Sequence, residues 1–289
     1  GHHEAVAARL ATLAAELYAV ESLTWLTSAM ADRGGTDIRL EAAMAKLFCT
    51  EALWRAADAG VQIRGGRGYE TADSLRARGE LPMPMERIMR DARINLIIEG
   101  TSEIMRLFIA REALDPHLRI AGASATSQKI DLASSARFYA RWYPKLWLPR
   151  LGTPGGPELP KGLGDHLRYA EGAARQLARD LFHSMLRYRQ GLQRRQVLLA
   201  RLVDTGADLF AMTAVLVRAT TPGRQEGAGH LADLFCRQAR RRIEERHREV
   251  YSNDDAAAYR TARQLLDGDF GWLTENLVST WRGEGGPSP

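Results

Sequence analysis

Apolar residues recur at three- and four-residue steps from the start of the chain. Leu10, Leu13, Leu17 and Val20 mark one face between Ala5 and Met30, and Leu23, Leu26 and Met30 add a second stripe. That pattern predicts a long helix buried on more than one side. Asp32-Arg33-Gly34-Gly35 ends it, and Thr36 or Asp37 can cap the next helix, "LEAAMAKLFCTEALWRAADAGVQI", which reaches about residue 63. "RGGRGYETADSLRARGELPMP" then has the glycines, prolines and mixed charges of an exposed loop, with room for one short helix. A short helix over Met85–Arg93 and a longer one over Thr101–Leu118 follow. Four helical segments with short joints predict an antiparallel bundle.

Small residues at 121–134 make a joint and a subdomain boundary, and "PRLGTPGGPELPKG" (149–162) reads as a Pro/Gly linker. Between them Phe138 to Leu148 is aromatic and helical. A second helical set comes next: Leu177, Leu181, Met185 and Leu192 line one helix, and Leu198, Leu202, Leu209, Met212 and Leu216 another. Further helices are expected over about 228–250 and 255–267. There is no internal repeat, no strand-period run and no sustained coiled coil. The expected class is all-α: an antiparallel helical bundle over 1–120, then an additional helical domain over 121–289.

Composition narrows the function classes. Leu, Ala and Arg are abundant and β-branched residues sparse, which favours helix. No apolar stretch approaches the roughly 20 residues of a membrane span, and the start, Gly1-His2-His3-Glu4, does not read as a signal region. Cys49 and Cys236 lie far apart in apolar helical contexts, so free buried thiols in a reducing compartment are expected, with a cytoplasmic location of bacterial type. The seven histidines show no ligand spacing, and no metal site is expected. The net charge of +5 permits an anionic ligand without demonstrating one.

Three stretches carry candidate chemistry. In "INLIIEGTSEIMRLFIAREAL" (94–114) Glu99 follows the apolar run Leu96-Ile97-Ile98. It reads either as a turn acid facing the N-terminus of the next helix or as a general base with Gly100 letting a ligand approach. "VQIRGGRGY" (61–69) could offer backbone N–H groups to a phosphate or ribose. A helix cap followed by a turn explains its glycines equally well. "RQARRRIEERHRE" (237–249) reads mostly as a solvated helix face with i,i+4 pairs, and nucleic acid is not an expected partner. "ARFYARWYPKLWLPRLG" (136–152) is an aromatic helix docked on the core or a peripheral membrane contact.

The order of these motifs adds what none of them carries alone. "DIRLEAAMAKLFCTEALWRAADAGVQIRGGRGY" followed by "MERIMRDARINLIIEGTSEIMRLFIAREAL" closely resembles the C-terminal helical domain of flavin-dependent acyl-CoA dehydrogenases. The matching elements are Glu41-Ala42 with Lys46, Gln62 with Gly65-Gly66 and Gly68, Arg90-Asp91, Arg93-Ile94 and Glu99-Gly100-Thr101. The resemblance covers about residues 5–118. The remainder resembles, more loosely, the extra helical region of the very-long-chain acyl-CoA dehydrogenase branch and its complex-I-assembly relative. That family also has an N-terminal helical domain, a middle β-domain and an upstream Arg/Phe/Gln segment, none of which is in this chain. A fragment or a split gene product is therefore expected. The stretch 70–84 is longer than the family's usual connection and reads as a surface insertion.

The resemblance implies that Glu99 is the base that removes the α-proton of an acyl-CoA thioester. In that family the thioester carbonyl accepts hydrogen bonds from a flavin ribityl hydroxyl and from the backbone N–H of this same Glu, which stabilises the developing enolate. Apolar walls, here Leu96-Ile97-Ile98, would raise the carboxylate's basicity by excluding water. The β-hydride goes to FAD, trans-2-enoyl-CoA is released, and an electron-transfer flavoprotein accepts the electrons. Gln62, Gly65 and Gly66 match positions that meet the adenine-nucleotide part of FAD, bound mostly by a neighbouring subunit. Thr101, Ser102 and Glu103 match flavin-contacting residues, and Gly100 a substrate contact. Arg90 and Asp91 are assigned to structural ion pairing rather than chemistry. The implied function is α,β-dehydrogenation of a long-chain fatty acyl-CoA in fatty acid β-oxidation by a homodimer or homotetramer. The alternative is a non-catalytic helical oligomerisation or assembly module derived from the same family.

Overall fold

The structure is a computed structural model that describes residues 2–120, 132–148, 162–221, 223 and 225–275. Among these residues there is no strand. α1 (Glu4–Arg33) ends where Gly34 takes φ 62° and donates its N–H to the Ala31 carbonyl at 3.1 Å. A side chain is strained at that φ, so glycine belongs there. α2 (Arg39–Arg64) begins with the Asp37 carboxylate accepting the Arg39 N–H at 3.0 Å, which makes Asp37 the working residue of the two capping candidates. The stretch after α2 holds two short helices where one was expected: α3 (Gly66–Tyr69) and α4 (Ala72–Ala77). Thr71 caps α4 by accepting the Ser74 N–H, and Leu75 is fully buried, so this surface stretch is anchored through one leucine. α5 (Met85–Ile94) and α6 (Ser102–Ile120) complete the first set.

The segment 121–131 and the linker 149–161, both singled out in the sequence, lie outside the described residues. Between them runs α7 (Leu132–Trp142) with a 3-10 turn over Tyr143–Leu146. It docks through rings: Tyr139 lies 4.9 Å from Phe182, and Trp142 meets the His117 ring of α6 at 5.3 Å. α8 (Leu163–Tyr188), a 3-10 turn over Arg189–Arg194, α9 (Gln196–Thr220) and α10 (Ala228–Tyr251) make the second set. Residues 251–275 belong to a separate short unit, with α11 (Asp255–Leu266) and a 3-10 turn over Gly271–Leu273.

α9 is the inner helix. Its first half, with Leu198, Leu202 and Val203, packs with Leu47 of α2 and Ile109 of α6. Its second half, with Met212, Val215 and Leu216, packs with Leu23 of α1 and Phe235 of α10. Both cores therefore draw on residues from either side of position 120. Each fully buried aliphatic side chain contributes about 1.5–3 kcal/mol. The hydroxyls of Thr205, Thr213 and Thr220 fold back onto carbonyls four residues earlier, so they enter this helix without an unmet donor.

Two acids interrupt the apolar surface of α9. Asp208 accepts from Arg242 at 2.7 Å and from Arg246 at 2.6 Å, both on α10. Asp204 accepts from Arg106 of α6 at 2.9 Å, and Arg106 also reaches Glu51 of α2 at 2.8 Å. The basic run on α10 is thus only partly a solvated face. Arg237, Arg241, Glu244, Glu245 and Arg248 are exposed, whereas Arg242 and Arg246 turn inward to the buried acid. Burial pushes both carboxyls up. At Asp204 burial wins over Arg106. At Asp208 the hydrogen bonds and charge of Arg242, then of Arg246, win instead and hold the carboxyl below the usual range.

Replacing Asp208 by Ala should destabilise the chain by about 3 kcal/mol, because two half-buried guanidinium groups lose their partner. Urea unfolding at pH 7 measures this. The Asp208 contribution should be complete above the unfolded aspartate pKa of about 3.9 and be lost as pH falls through the lower folded value. Below both values the variant and the parent chain should converge.

Candidate functional site

The turn between α5 and α6 is built by successive short-range bonds. Ile97 and Ile98 donate their N–H groups to the Ile94 carbonyl at 2.9 and 3.0 Å, and Ser102 closes back to the Leu96 carbonyl at 3.1 Å. Two consecutive residues then take left-handed backbone: Glu99 at φ 54° and Gly100 at φ 94°. Gly100 suits this φ, at which any side chain is strained, and a Cβ there would also press on the flexible Met105 side chain, 2.9 Å from its sulfur. That preference belongs to the fold and is independent of any ligand. Glu99 meets the same backbone constraint with a full side chain, at a cost of about 1–2 kcal/mol.

Lys46 holds the turn from α2. Its Nζ donates to the carbonyls of Gly100 at 2.8 Å, Asn95 at 3.2 Å and Ile98 at 3.3 Å. One ammonium therefore gathers three carbonyls around the strained residue. α6 starts immediately after, with the Thr101 hydroxyl accepting the Ile104 N–H at 3.3 Å. Glu103 is held below the usual carboxylate range by its own backbone N–H and then by the Thr101 hydroxyl. Thr101 and Glu103 thus do the capping, and Glu99 makes no capping hydrogen bond. Glu99 is exposed. Neither its carboxylate nor its backbone N–H has a hydrogen-bond partner among the described residues. Ser102 is buried, and its hydroxyl also lacks a partner.

The apolar run before Glu99 is not a closed wall in this chain. Ile97 and Ile98 are 48% and 46% exposed, because the turn carries them to the surface. Ile104 and Phe108 on α6 are exposed as well. Arg90 is exposed, and Asp91 forms an i,i+4 ion pair with Arg87 at 3.8 Å along α5. Both thiols are free, with Cys236 buried and Cys49 half-buried. Among the described residues no group of His, Cys, Asp or Glu side chains could hold a metal ion.

The second group of site candidates sits at the far end of α2. Gly65 caps that helix at φ 61° and donates its N–H to the Gln62 carbonyl at 3.2 Å. Gly68 is required by close approach, since a Cβ would meet the Val61 carbonyl oxygen at 2.5 Å. Gly66 has neither reason: its φ is not left-handed and nothing lies within 4 Å of a Cβ there. Gln62 and Gly66 are both exposed. Sixteen residues of α2 separate Gln62 from Lys46, about 24 Å along the helix. The structure therefore brings Glu99, Gly100, Thr101, Ser102 and Glu103 into one turn, and Gln62, Gly65 and Gly66 into another.

Comparison with known proteins places this geometry. Residues 1–114 match the family model "Acyl-CoA dehydrogenase, C-terminal domain", and residues 163–267 match "ACAD9/ACADV, C-terminal domain". Over 99% of this chain, 44% of residues are identical to the "Probable acyl-CoA dehydrogenase FadE10" of Mycobacterium tuberculosis, of which the match spans 46%. The human "Very long-chain specific acyl-CoA dehydrogenase, mitochondrial" is 32% identical over 82% of this chain and 36% of its own length. A crystal structure of an acyl-CoA dehydrogenase with FAD from Bacillus anthracis shares the fold, with a TM-score of 0.62 and 22% identity over 94% of this chain and 45% of that one. The chain spans less than half the length of these relatives.

Replacing Lys46 by Met should leave three carbonyls without their charged donor and cost about 2 kcal/mol. Amide exchange at residues 95–101 should speed up well beyond that of the α9 core, as read by hydrogen-exchange mass spectrometry. With the two family blocks in this order and the Glu-Gly-Thr turn between α5 and α6, the chain belongs to the acyl-CoA dehydrogenase family, of which it carries the C-terminal helical part.

Proposed function

We propose that this chain supplies the catalytic base of an FAD-dependent acyl-CoA dehydrogenase, with Glu99 removing the α-proton of a fatty acyl-CoA thioester. The supporting observation is that Glu99 keeps both its carboxylate and its backbone N–H without a partner among the described residues, on a turn fastened by Lys46. A substrate carbonyl placed against that N–H, at the N-terminal end of α6, would be polarised by the amide and by the helix dipole. The carboxylate of the same residue takes the proton, and Gly100 lies beside the substrate. The chemistry that FAD would supply there, when bound, is acceptance of the β-hydride, which together with loss of the α-proton would leave a Cα–Cβ double bond as trans-2-enoyl-CoA.

The residues present fit the edges of a flavin site. Gly66 is a glycine that the chain's own packing does not require, and Gln62 beside it presents an exposed amide. Gly65 completes this group, assigned to the adenine-nucleotide end. Thr101, Ser102 and Glu103 are assigned to the flavin end, with the unpartnered Ser102 hydroxyl in keeping with a further hydrogen-bond acceptor there. The separation of the two groups along α2 agrees with a flavin bound across two subunits, hence a homodimer or homotetramer. Similarity to very-long-chain relatives supports a long-chain acyl-CoA substrate, and a role in β-oxidation with an electron-transfer flavoprotein as acceptor extends the same proposal. The two matched blocks support a boundary near residue 120 between two ancestral helical parts. Cytoplasmic placement, with peripheral membrane contact through 136–150, completes the reading. Among the described residues no helix is long and apolar enough to cross a membrane.

A second reading, a helical assembly module without activity of its own, draws on the exposure of Ile97, Ile98 and Glu99, which leaves the site one-walled in this chain. It expects a colourless purified chain. Joined to the flavin-binding part that precedes it in its relatives, the parent enzyme should lose at least a hundredfold in dehydrogenation rate, roughly, when Glu99 is replaced by Gln. Unchanged turnover of the variant would remove Glu99 from the mechanism.

A further inference from the structure

Four helices line a partly open apolar cavity that the chemistry at Glu99 does not use. Its volume is about 280 Å³. Met44 of α2, Ile109 and Ala113 of α6, Leu177 of α8, and Val203 and Gly206 of α9 shape it, and the rest of the wall is aliphatic too. No polar side chain lines it, so water inside would find no partners. The wall does not include residues 95–103. Ile109 lies seven residues beyond Ser102, about 10 Å further along α6.

Shape and size restrict what can enter. Along α9 the wall runs from Leu199 to Leu209, about 15 Å of helix. A volume of 280 Å³ spread over that length makes a narrow slot, suited to one extended hydrocarbon chain rather than to fused rings. An apolar cavity of about 150 Å³ holds benzene, so this one has room for roughly ten carbon atoms on the same scale. Leu40 also lines a polar cleft that contains Asp37, Arg39, Glu112 and Arg119. A polar chain end placed there stays hydrated.

Gly206 is an independent sign that the width is kept open. It sits in the middle of α9, where glycine is the poorest helix former after proline. A Cβ at this position would lie 3.7 Å from a Leu177 methyl and 3.9 Å from the Met44 sulfur, which are ordinary contacts. Neither crowding nor backbone conformation requires glycine there, yet a larger side chain would intrude on the slot.

We propose that this cavity is a second binding site, which takes the unbranched aliphatic chain of a small amphiphile with its polar end at the Leu40 mouth. The site is independent of Glu99 and of flavin. Titrating 1-decanol into the purified chain should raise Tm by roughly 3 °C near saturation, with one molecule bound per chain by calorimetry. NMR should show decanol methylene contacts to the Val203 and Ile109 methyls. Gly206→Leu should fill the slot, hold or raise Tm and abolish the decanol response; if it does not fold, Ala113→Leu fills the slot from the facing helix. Absence of a shift in the unaltered chain would overturn the proposal. So would an equal shift in a filled variant, or NMR contacts confined to exposed residues such as Trp25 and Ile97.

Discussion

A helix that is apolar around most of its circumference has to be enclosed, and α9 sets that condition here. More than half of its residues are buried, and they face α1 and α10 at one end and α2 and α6 at the other. The two acids on it, Asp208 buried and Asp204 half-buried, add a second condition. A carboxylate taken out of water must be met by cations, and Asp204 and Asp208 draw Arg106, Arg242 and Arg246 inward from two other helices. Apolar burial brings the helices together without direction. The ion pairs then restrict how α6 and α10 can lie on α9.

The Glu99 turn depends on this arrangement at one remove. Arg106 joins α6 to Glu51 of α2 and Asp204 of α9, so the helix that follows the turn is held against both. α2, placed in the same way, offers Lys46 to the carbonyls of residues 95, 98 and 100. The left-handed conformation of Glu99 is unfavourable by itself and persists because its surroundings over-determine it. Its carboxylate and N–H remain unengaged because Thr101 and Glu103 satisfy the start of α6.

Gly100 and Gly66 show how different physical causes share one residue type. Gly100 is favoured by its φ, at which any side chain is strained, so the fold alone accounts for its presence in the motif. At Gly66 neither φ nor a close neighbour calls for glycine, and that difference becomes visible only when the space around each is known. The paired glycines read identically as letters.

Local interactions were legible in the chain itself. The apolar steps at Leu10, Leu13 and Leu17, the Gly34 stop and the apolar run from Leu198 to Leu216 mark α1 and α9, because helix periodicity and capping act within a few residues. The ordered motifs from Gln62 to Thr101 likewise identified the family and the Glu-Gly-Thr turn between α5 and α6. Which basic residues of α10 turn inward, which residue holds the Glu99 turn and whether Ile97 and Ile98 are covered were decided by tertiary structure. Lys46 lies about fifty residues from the carbonyls it binds, and Arg242 lies 34 residues from Asp208. Spacing along the chain cannot encode such pairings, because each depends on how separate helices rotate and slide as they enclose α9.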